Sequence, residues 1–374
     1  MTSALFQPLK IGKNTLQTRL VLAPLTRQRA SDEHVPLPFV AEYYAQRASS
    51  PGTLLITEAT FIGPQASGLN NVPGIWNAAQ IEAWSHVTNA VHGQGSFIFM
   101  QLWALGRAAA GKHLRNTAGR DAEVKSSGDI PINGLTAPTP LTEAEITEYI
   151  GLYAQAARNA IAAGFDGVEI HAANGYLIDQ FIQDTSNNRA DRWGGSIENR
   201  ARFAVEVSRA VVDAVGAERT GIRLSPFSTF QNMKMAEPVP QFTYLAGEIK
   251  ELRLAYLHVV EASVAGGEDS KTPASESVDF LLDTWGKTSP VLLAGGFTPA
   301  TAYQSVDEKH AGKDVAIVFG RYFISNPDLV FRVREGIELE PYDRSKFYLA
   351  KQEEGYTTYP YSPEFDRQSA STRL

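Results

Sequence analysis

Cysteine is absent from the 374 residues. That excludes disulfides, thiolate metal sites and a cysteine nucleophile. No long apolar run occurs, so a membrane span is not expected. The first ten residues have no basic start followed by an apolar core, so no secretory signal is read there. No Lys/Arg-rich stretch occurs, and 34 basic against 41 acidic residues give a net charge of −7. Nucleic acid is then a poor partner, because its phosphates need a basic face. No His-x3-His pair occurs, and His34, His86, His92, His113 and His310 lack ligand spacing, so no metal is expected. These absences fit a cytoplasmic protein that handles a small molecule.

What is present is ordinary for a globular enzyme: 43% hydrophobic and 20% charged residues. Such a length allows two or three domains, but α/β barrels run this long as one. Eight apolar, β-branched-rich runs read as strands: 20–23, 53–58, 97–102, 167–171, 220–225, 255–260, 290–294 and 315–319. Their nearly unbroken apolar character suits parallel strands covered on both faces. Helical periodicity fills the gaps at 38–48, 79–92, 143–163, 197–215, 241–252, 277–285, 299–306 and 328–334. Thr142 and Ser196 stand at N-cap positions, and Pro299 follows Thr298 as a first helical residue. Eight βα units with right-handed crossovers predict a (β/α)8 TIM barrel, one domain over residues 1–374.

Three segments fall outside the repeat. Residues 5–18 read as an N-terminal hairpin with a Gly12-Lys13-Asn14 turn, expected to close the bottom of the barrel. Residues 104–141, long and poorly periodic, form a capping excursion after the third strand, expected over the top face. Residues 362–374 are polar and expected as a flexible tail.

In a barrel the C-terminal strand ends converge on one site. They deliver Pro24, Leu25 and Thr26; Glu58 and Ala59; Gln101 and Trp103; His171, Asn174 and Tyr176; Arg223; Gly295 and Gly296; and Phe319, Gly320 and Arg321. The group in Val168-Glu-Ile-His-Ala-Ala-Asn-Gly-Tyr-Leu177 is the most informative. A strand that breaks off into two side-chain donors and a phenol reads as a clamp for a carbonyl oxygen with an acid beside it. Glycines after strands seven and eight let backbone N–H groups approach a phosphate, and Arg321 adds a charge contact. The blander reading is that they only turn the chain. Arg223 interrupts an apolar strand. It is either a structural ion pair with Glu169 or Glu58, or a cation beside a ligand that becomes anionic. Gln101 offers a donor and an acceptor to a pyrimidine-dione edge. A lone histidine is more often a satisfied core residue, and that is the expectation for His258. Glu58, Glu169 and Glu261 also allow a barrel glycosidase, which needs two carboxylates facing one bond.

Several separated motifs together resemble the Old Yellow Enzyme family: Ala23-Pro-Leu-Thr-Arg27, Glu42-Tyr-Tyr-Ala-Gln-Arg47, Ile56-Thr-Glu-Ala-Thr60, Gln101-Leu-Trp-Ala-Leu-Gly-Arg107, Gly164 through Leu177, Asp191 through Arg200, and Phe319-Gly-Arg-Tyr-Phe323. The likeness runs from about Leu5 to about Pro360. It implies an FMN-dependent ene-reductase: NADPH or NADH as reductant, sharing one site by turns with an activated alkene. By that resemblance Pro24, Leu25 and Thr26 run along the flavin, Ala59 and Gln101 meet its pyrimidine side, and Arg223 meets N1 and O2. Gly295, Gly296, Phe319, Gly320 and Arg321 hold the phosphate side. His171 and Asn174 bind the substrate carbonyl, Tyr176 donates the proton, and Trp103 and Tyr348 face the substrate.

Two positions depart from some members: Ala104 follows Trp103 where bacterial forms have histidine, and Asn174 stands where others use a second histidine. The segment around Val35-Pro-Leu-Pro38 looks most like fungal members, including ergot-pathway aldehyde reductases. Some of those carry Phe at the Tyr176 position and isomerise instead. Tyr176 favours net reduction. An isomerase with the same site and a flavin-binding protein without turnover remain the alternatives, and monomer and dimer are both open.

Overall fold

The eight apolar runs form strands that close on themselves. In a computed structural model describing residues 3–265, 268–269 and 276–372, they are β1 Leu20–Leu22, β2 Leu54–Ile56, β3 Phe97–Trp103, β4 Gly167–Ala172, β5 Thr220–Leu224, β6 Tyr256–Val260, β7 Val291–Ala294 and β8 Val315–Phe319. Each pairs in parallel with its neighbours, and β8 returns to β1, which makes a barrel. β2 is shorter than its apolar run because its end peels away to other work. Thr57 Oγ1 accepts from the Gln101 N–H at 3.1 Å, and the Glu58 carboxylate accepts from the Arg27 N–H at 3.1 Å. A two-residue strand, Thr60–Phe61, then rejoins the far end of β3.

The outer helices are α1 Val40–Arg47, α2 Ala78–His92, α3 Glu143–Ala162, α4 Ile197–Val215, α5 Pro238–Lys250, α6 Asp279–Trp285, α7 Pro299–Gln304 and α8 Leu329–Glu335. Their starts follow side-chain chemistry. Thr142 and Glu145 form a capping box on α3, Thr298 caps α7 ahead of Pro299, and the Ser196 side chain accepts from the Asn199 N–H. α5 begins at Pro238, ahead of the expected Gln241, because proline is favoured in a first turn. α7 passes into a π turn, Ser305–Lys309.

The hairpin Leu9–Ile11 with Asn14–Leu16 turns at Gly12, whose φ is +55°. Its Leu9, Ile11 and Leu16 join Phe99 and Tyr256 in one cluster at the barrel floor. The two rings fit inside because a Cβ on Gly167 would meet the Phe99 ring at 2.5 Å, and one on Gly221 the Tyr256 ring at 2.3 Å.

One segment gains detail that the sequence reading did not specify, and another differs from it. The excursion 104–141 is built: a 3-10 turn Gly106–Ala108, a helix Gly111–Ala118, and a parallel pairing of Lys125–Ser126 with Thr139–Pro140. The expected flexible tail is a helix, Pro363–Thr372. The buried Ser362 sets it, donating its hydroxyl to Asp328 Oδ2 at 2.6 Å and its N–H to the same oxygen at 2.9 Å.

Candidate active site

One cavity opens at the C-terminal ends of the strands. It is lined by every residue singled out above for cofactor, substrate or proton: Pro24, Leu25, Thr26, Ala59, Gln101, Trp103, His171, Asn174, Tyr176, Arg223, Gly295, Gly296, Phe319, Gly320, Arg321 and Tyr348. Phe230, Phe297 and Tyr322 also line it. Phe230 and Phe297 lie beyond strand ends with no periodicity to mark them, and Tyr322 follows Arg321 inside a motif already quoted. Among the described residues no aspartate or glutamate lines the cavity, which removes the glycosidase reading.

β4 and its exit build the acid side. The His171 and Tyr176 rings lie 5.0 Å apart at 75°, and Trp103 packs edge-on to Tyr176 at 4.7 Å. Trp103 is itself stacked on Phe61 at 5.2 Å. Burial holds the His171 pKa well below the usual histidine value, and the charges of Arg223 and His258 push the same way. The ring is therefore neutral. Its Nδ1 accepts a long bond from the Ala173 N–H at 3.4 Å, which leaves Nε2 as the protonated nitrogen. Burial, then Tyr348, raises the Tyr176 pKa above the ordinary phenol value, against a hydrogen bond from Gln231 and the charge of Arg223. The phenol is protonated at neutral pH. Asn174 has φ +56°, a left-handed conformation that asparagine tolerates, and its N–H donates to Ser225 Oγ at 2.7 Å.

A polar layer lies beneath. Gln101 Nε2 donates to Glu169 Oε1 at 2.7 Å, while Tyr256 OH and His258 Nδ1 lie 3.1 and 2.8 Å from Glu169 Oε2. Burial pushes the Glu169 carboxyl up, but His258 and then Arg223 and Gln101 outweigh it, so its pKa falls below the usual value. His258 is fully buried, but only half satisfied: Nδ1 pairs with Glu169, and Nε2 has no hydrogen-bond partner among the described residues. Arg223 sits in register with His171 on one side and His258 on the other. Of the two carboxylates, it is the Glu169 charge that acts on Arg223, while Glu58 accepts from the Arg27 N–H.

The phosphate-side loops bring Gly296, with φ +70°, near Gly320, which caps the short helix Arg321–Ser325. A Cβ on Gly295 would lie 2.6 Å from Glu261 Oε2.

The outer wall is attached by buried arginines. Arg27 donates to the carbonyls of Phe347 at 3.0 Å and Gly355 at 2.7 Å. Arg29 donates to those of Phe347, Gln352, Lys346 and Glu354 at 2.7, 2.9, 3.2 and 3.0 Å. These bonds hold Tyr348, itself 56% exposed, at the mouth. Arg27 stands in a sequence motif already quoted and Arg29 two residues past it, but the main-chain oxygens they bind carry no sequence signal.

The lining fits a flavin. Three buried polar atoms, Arg223 Nε, Asn174 Oδ1 and Trp103 Nε1, have no hydrogen-bond partner among the described residues and belong to lining side chains. A buried polar atom without a partner is costly, so a ligand with matching groups is the economical explanation. Pro24, Leu25 and Thr26 offer a rail, and Gln101 and Arg223 a pyrimidine-binding end.

The sequence matches the NADH:flavin oxidoreductase / NADH oxidase family over residues 4–340. It is 57% identical to chanoclavine-I aldehyde reductase fgaOx3 of Penicillium roqueforti, over 97% of this chain and 98% of that protein. It is 50% identical to the NADP-dependent oxidoreductase lnbE of Aspergillus flavus, over 97% of this chain and 98% of that protein. Among solved structures, the Old Yellow Enzyme homologue of Zymomonas mobilis superposes with a TM-score of 0.88 at 37% identity, covering 96% of this chain and 99% of that one. The chain belongs to the Old Yellow Enzyme family of flavin oxidoreductases, with FMN as cofactor and a nicotinamide as reductant.

Proposed function

We propose that this enzyme is an ene-reductase acting on α,β-unsaturated carbonyl compounds, an aldehyde being favoured by the 57% identical relative's name. The observation that carries it is the contact of a neutral His171 with a protonated Tyr176 in a cavity that no carboxylate lines among the described residues. Bound FMN would supply to the β-carbon a hydride taken from NAD(P)H. His171 Nε2–H and the Asn174 amide donate hydrogen bonds to the substrate carbonyl oxygen and draw charge from the alkene. A neutral imidazole serves here as a donor rather than an acid. Tyr176 gives its proton to the α-carbon. Its raised pKa suits that role, because an enolate-like carbon is basic enough to take a proton from a weak acid. Trp103 and Tyr348 bound the substrate, and Arg223 sits where it would stabilise negative charge on the cofactor. Pro24, Leu25, Thr26, Ala59 and Gln101 would hold the ring system. Gly295, Gly296, Phe319, Gly320 and Arg321 would hold the phosphate.

The test follows the two half-reactions separately by rapid mixing: bleaching of bound FMN by NADPH, then its reoxidation by 2-cyclohexenone or cinnamaldehyde. Reoxidation by the enone or enal with a saturated product is expected. Bleaching without such reoxidation, or product isomerised with no net NADPH consumed, sinks the proposal.

A further inference from the structure

The turn that carries Asn174 and Tyr176 is held by side chains that do not line the cavity. Between the two lies Gly175, with φ +75°. Its N–H donates to Asp179 Oδ2 at 2.8 Å, and its carbonyl accepts from Gln180 Nε2 at 2.7 Å. Gln180 does more. Nε2 also donates to the Leu105 carbonyl at 3.0 Å, while Oε1 accepts from the Arg107 N–H at 3.0 Å and from Ser126 Oγ at 2.8 Å. Both donors and both lone pairs of the amide are thereby used. The side chain is fully buried, and a Cβ on Gly106 would lie 2.0 Å from its Oε1, so packing as well as bonding fixes it.

Three of these partners, Leu105, Arg107 and Ser126, belong to the excursion after β3. The fourth is the peptide between the amide of Asn174 and the phenol of Tyr176. Asn174 and Gly175 are consecutive residues in the left-handed region, a conformation that Asn-Gly favours locally, and the turn is closed by the Tyr176 N–H on the Ala173 carbonyl at 3.3 Å. The bonds to Asp179 and Gln180 then fix where that turn sits against the excursion.

We propose that Gln180 is a positioning residue: it locks the Asn174–Tyr176 turn to the excursion after β3 and so sets the direction from which the proton is delivered. This rests on the ene-reductase reading. No other side chain of that size supplies two donors and an acceptor with two lone pairs at those positions. Glutamate, of equal shape, would turn oxygens toward the carbonyls of Gly175 and Leu105. A small displacement of the phenol then slows protonation while leaving the reductant's hydride step alone.

The experiment uses the FMN-loaded full chain and its Gln180→Glu, Ser126→Ala and Tyr176→Phe variants, with 2-cyclohexenone as the probe. In Gln180→Glu, reduction by NADPH stays within about threefold, reoxidation slows about tenfold or more, and the solvent deuterium isotope effect on reoxidation rises above that of the parent. Ser126→Ala removes one of the four bonds and shows the same split at about two- to fivefold, which keeps the test alive if Gln180→Glu does not fold. Equal slowing of both half-reactions, or an unchanged isotope effect, overturns the proposal. If Tyr176→Phe slows reoxidation selectively and the Gln180 and Ser126 variants do not, only this inference fails. If Tyr176→Phe shows no selective loss, the ene-reductase reading fails with it.

Discussion

Gln101 and Glu169 face each other in register across β3 and β4, joined by a 2.7 Å hydrogen bond beneath the cavity floor. Glu169 therefore joins a residue of the cavity lining to the buried pair Tyr256 and His258. Glu169→Leu leaves three polar side chains without their common partner. It should lower unfolding free energy by about 3–5 kcal/mol, the usual cost of breaking a buried charged network. Urea unfolding of the apoprotein checks this; a loss under about 1 kcal/mol contradicts it.

Arg223 contributes differently. Its Nε has no partner among the described residues, so its removal should cost ligand more than fold. Arg223→Met is expected to weaken FMN binding about ten- to hundredfold, or about 1.4–2.8 kcal/mol. Quenching of FMN fluorescence on titration into apoprotein measures it. Unchanged affinity would remove Arg223 from the cofactor site.

Asp179 gives a pH dependence. Burial raises its carboxyl from 3.8 to about 7, against hydrogen bonds from Gln183 and Gly175 and the charge of Arg107. The folded protein thus keeps a proton that the unfolded chain releases. Stability from this group is fully present below about pH 4 and is lost as pH rises through about 7, a swing on the order of 4 kcal/mol. Asp179→Asn should flatten the fall in unfolding free energy between about pH 4.5 and 8. Parallel profiles for the two proteins would show that Asp179 does not titrate in that window.

Arg47 is a structural counterpart. Its guanidinium reaches the carbonyls of Phe323, Tyr43, Ile324 and Tyr356 at 3.0, 3.0, 2.6 and 3.3 Å, and lies 3.6 Å from the centre of the Tyr43 ring. Arg47→Met strands those acceptors and should cost about 3 kcal/mol or more. Arg47→Lys should not restore it, because an ammonium cannot reproduce the planar fork. Calorimetric melting of both variants decides; rescue by lysine would count against the geometric account.

The barrel was legible because its signals are local. Each strand is a short apolar run with β-branched residues, and helix starts such as Thr142, Ser196 and Thr298-Pro299 carry their own caps. Strand-end convergence then placed His171, Arg223 and Gly320 in one cavity from topology alone. What stayed hidden depends on partners far along the chain. The excursion 104–141 is ordered in part by Gln180, a residue that falls in none of the segments the sequence periodicity marks. The helix at 363–372 rests on Ser362 meeting Asp328. Phe230 and Phe297 reach the cavity from connections whose paths no local rule predicts. Glu169 was readable as a partner for Arg223, but not as the junction of Gln101, Tyr256 and His258.

The outer wall near Tyr348 is gripped by Arg27 and Arg29 mainly through peptide oxygens, with the Phe347 ring 6.0 Å from the Arg27 guanidinium. Peptide oxygens are indifferent to which side chains their residues bear. Selection, or a designer, can therefore rewrite the exposed Tyr348 to suit a new guest without loosening the doorway from its frame. Divergence in substrate choice between otherwise similar enzymes has an inexpensive place to accumulate there.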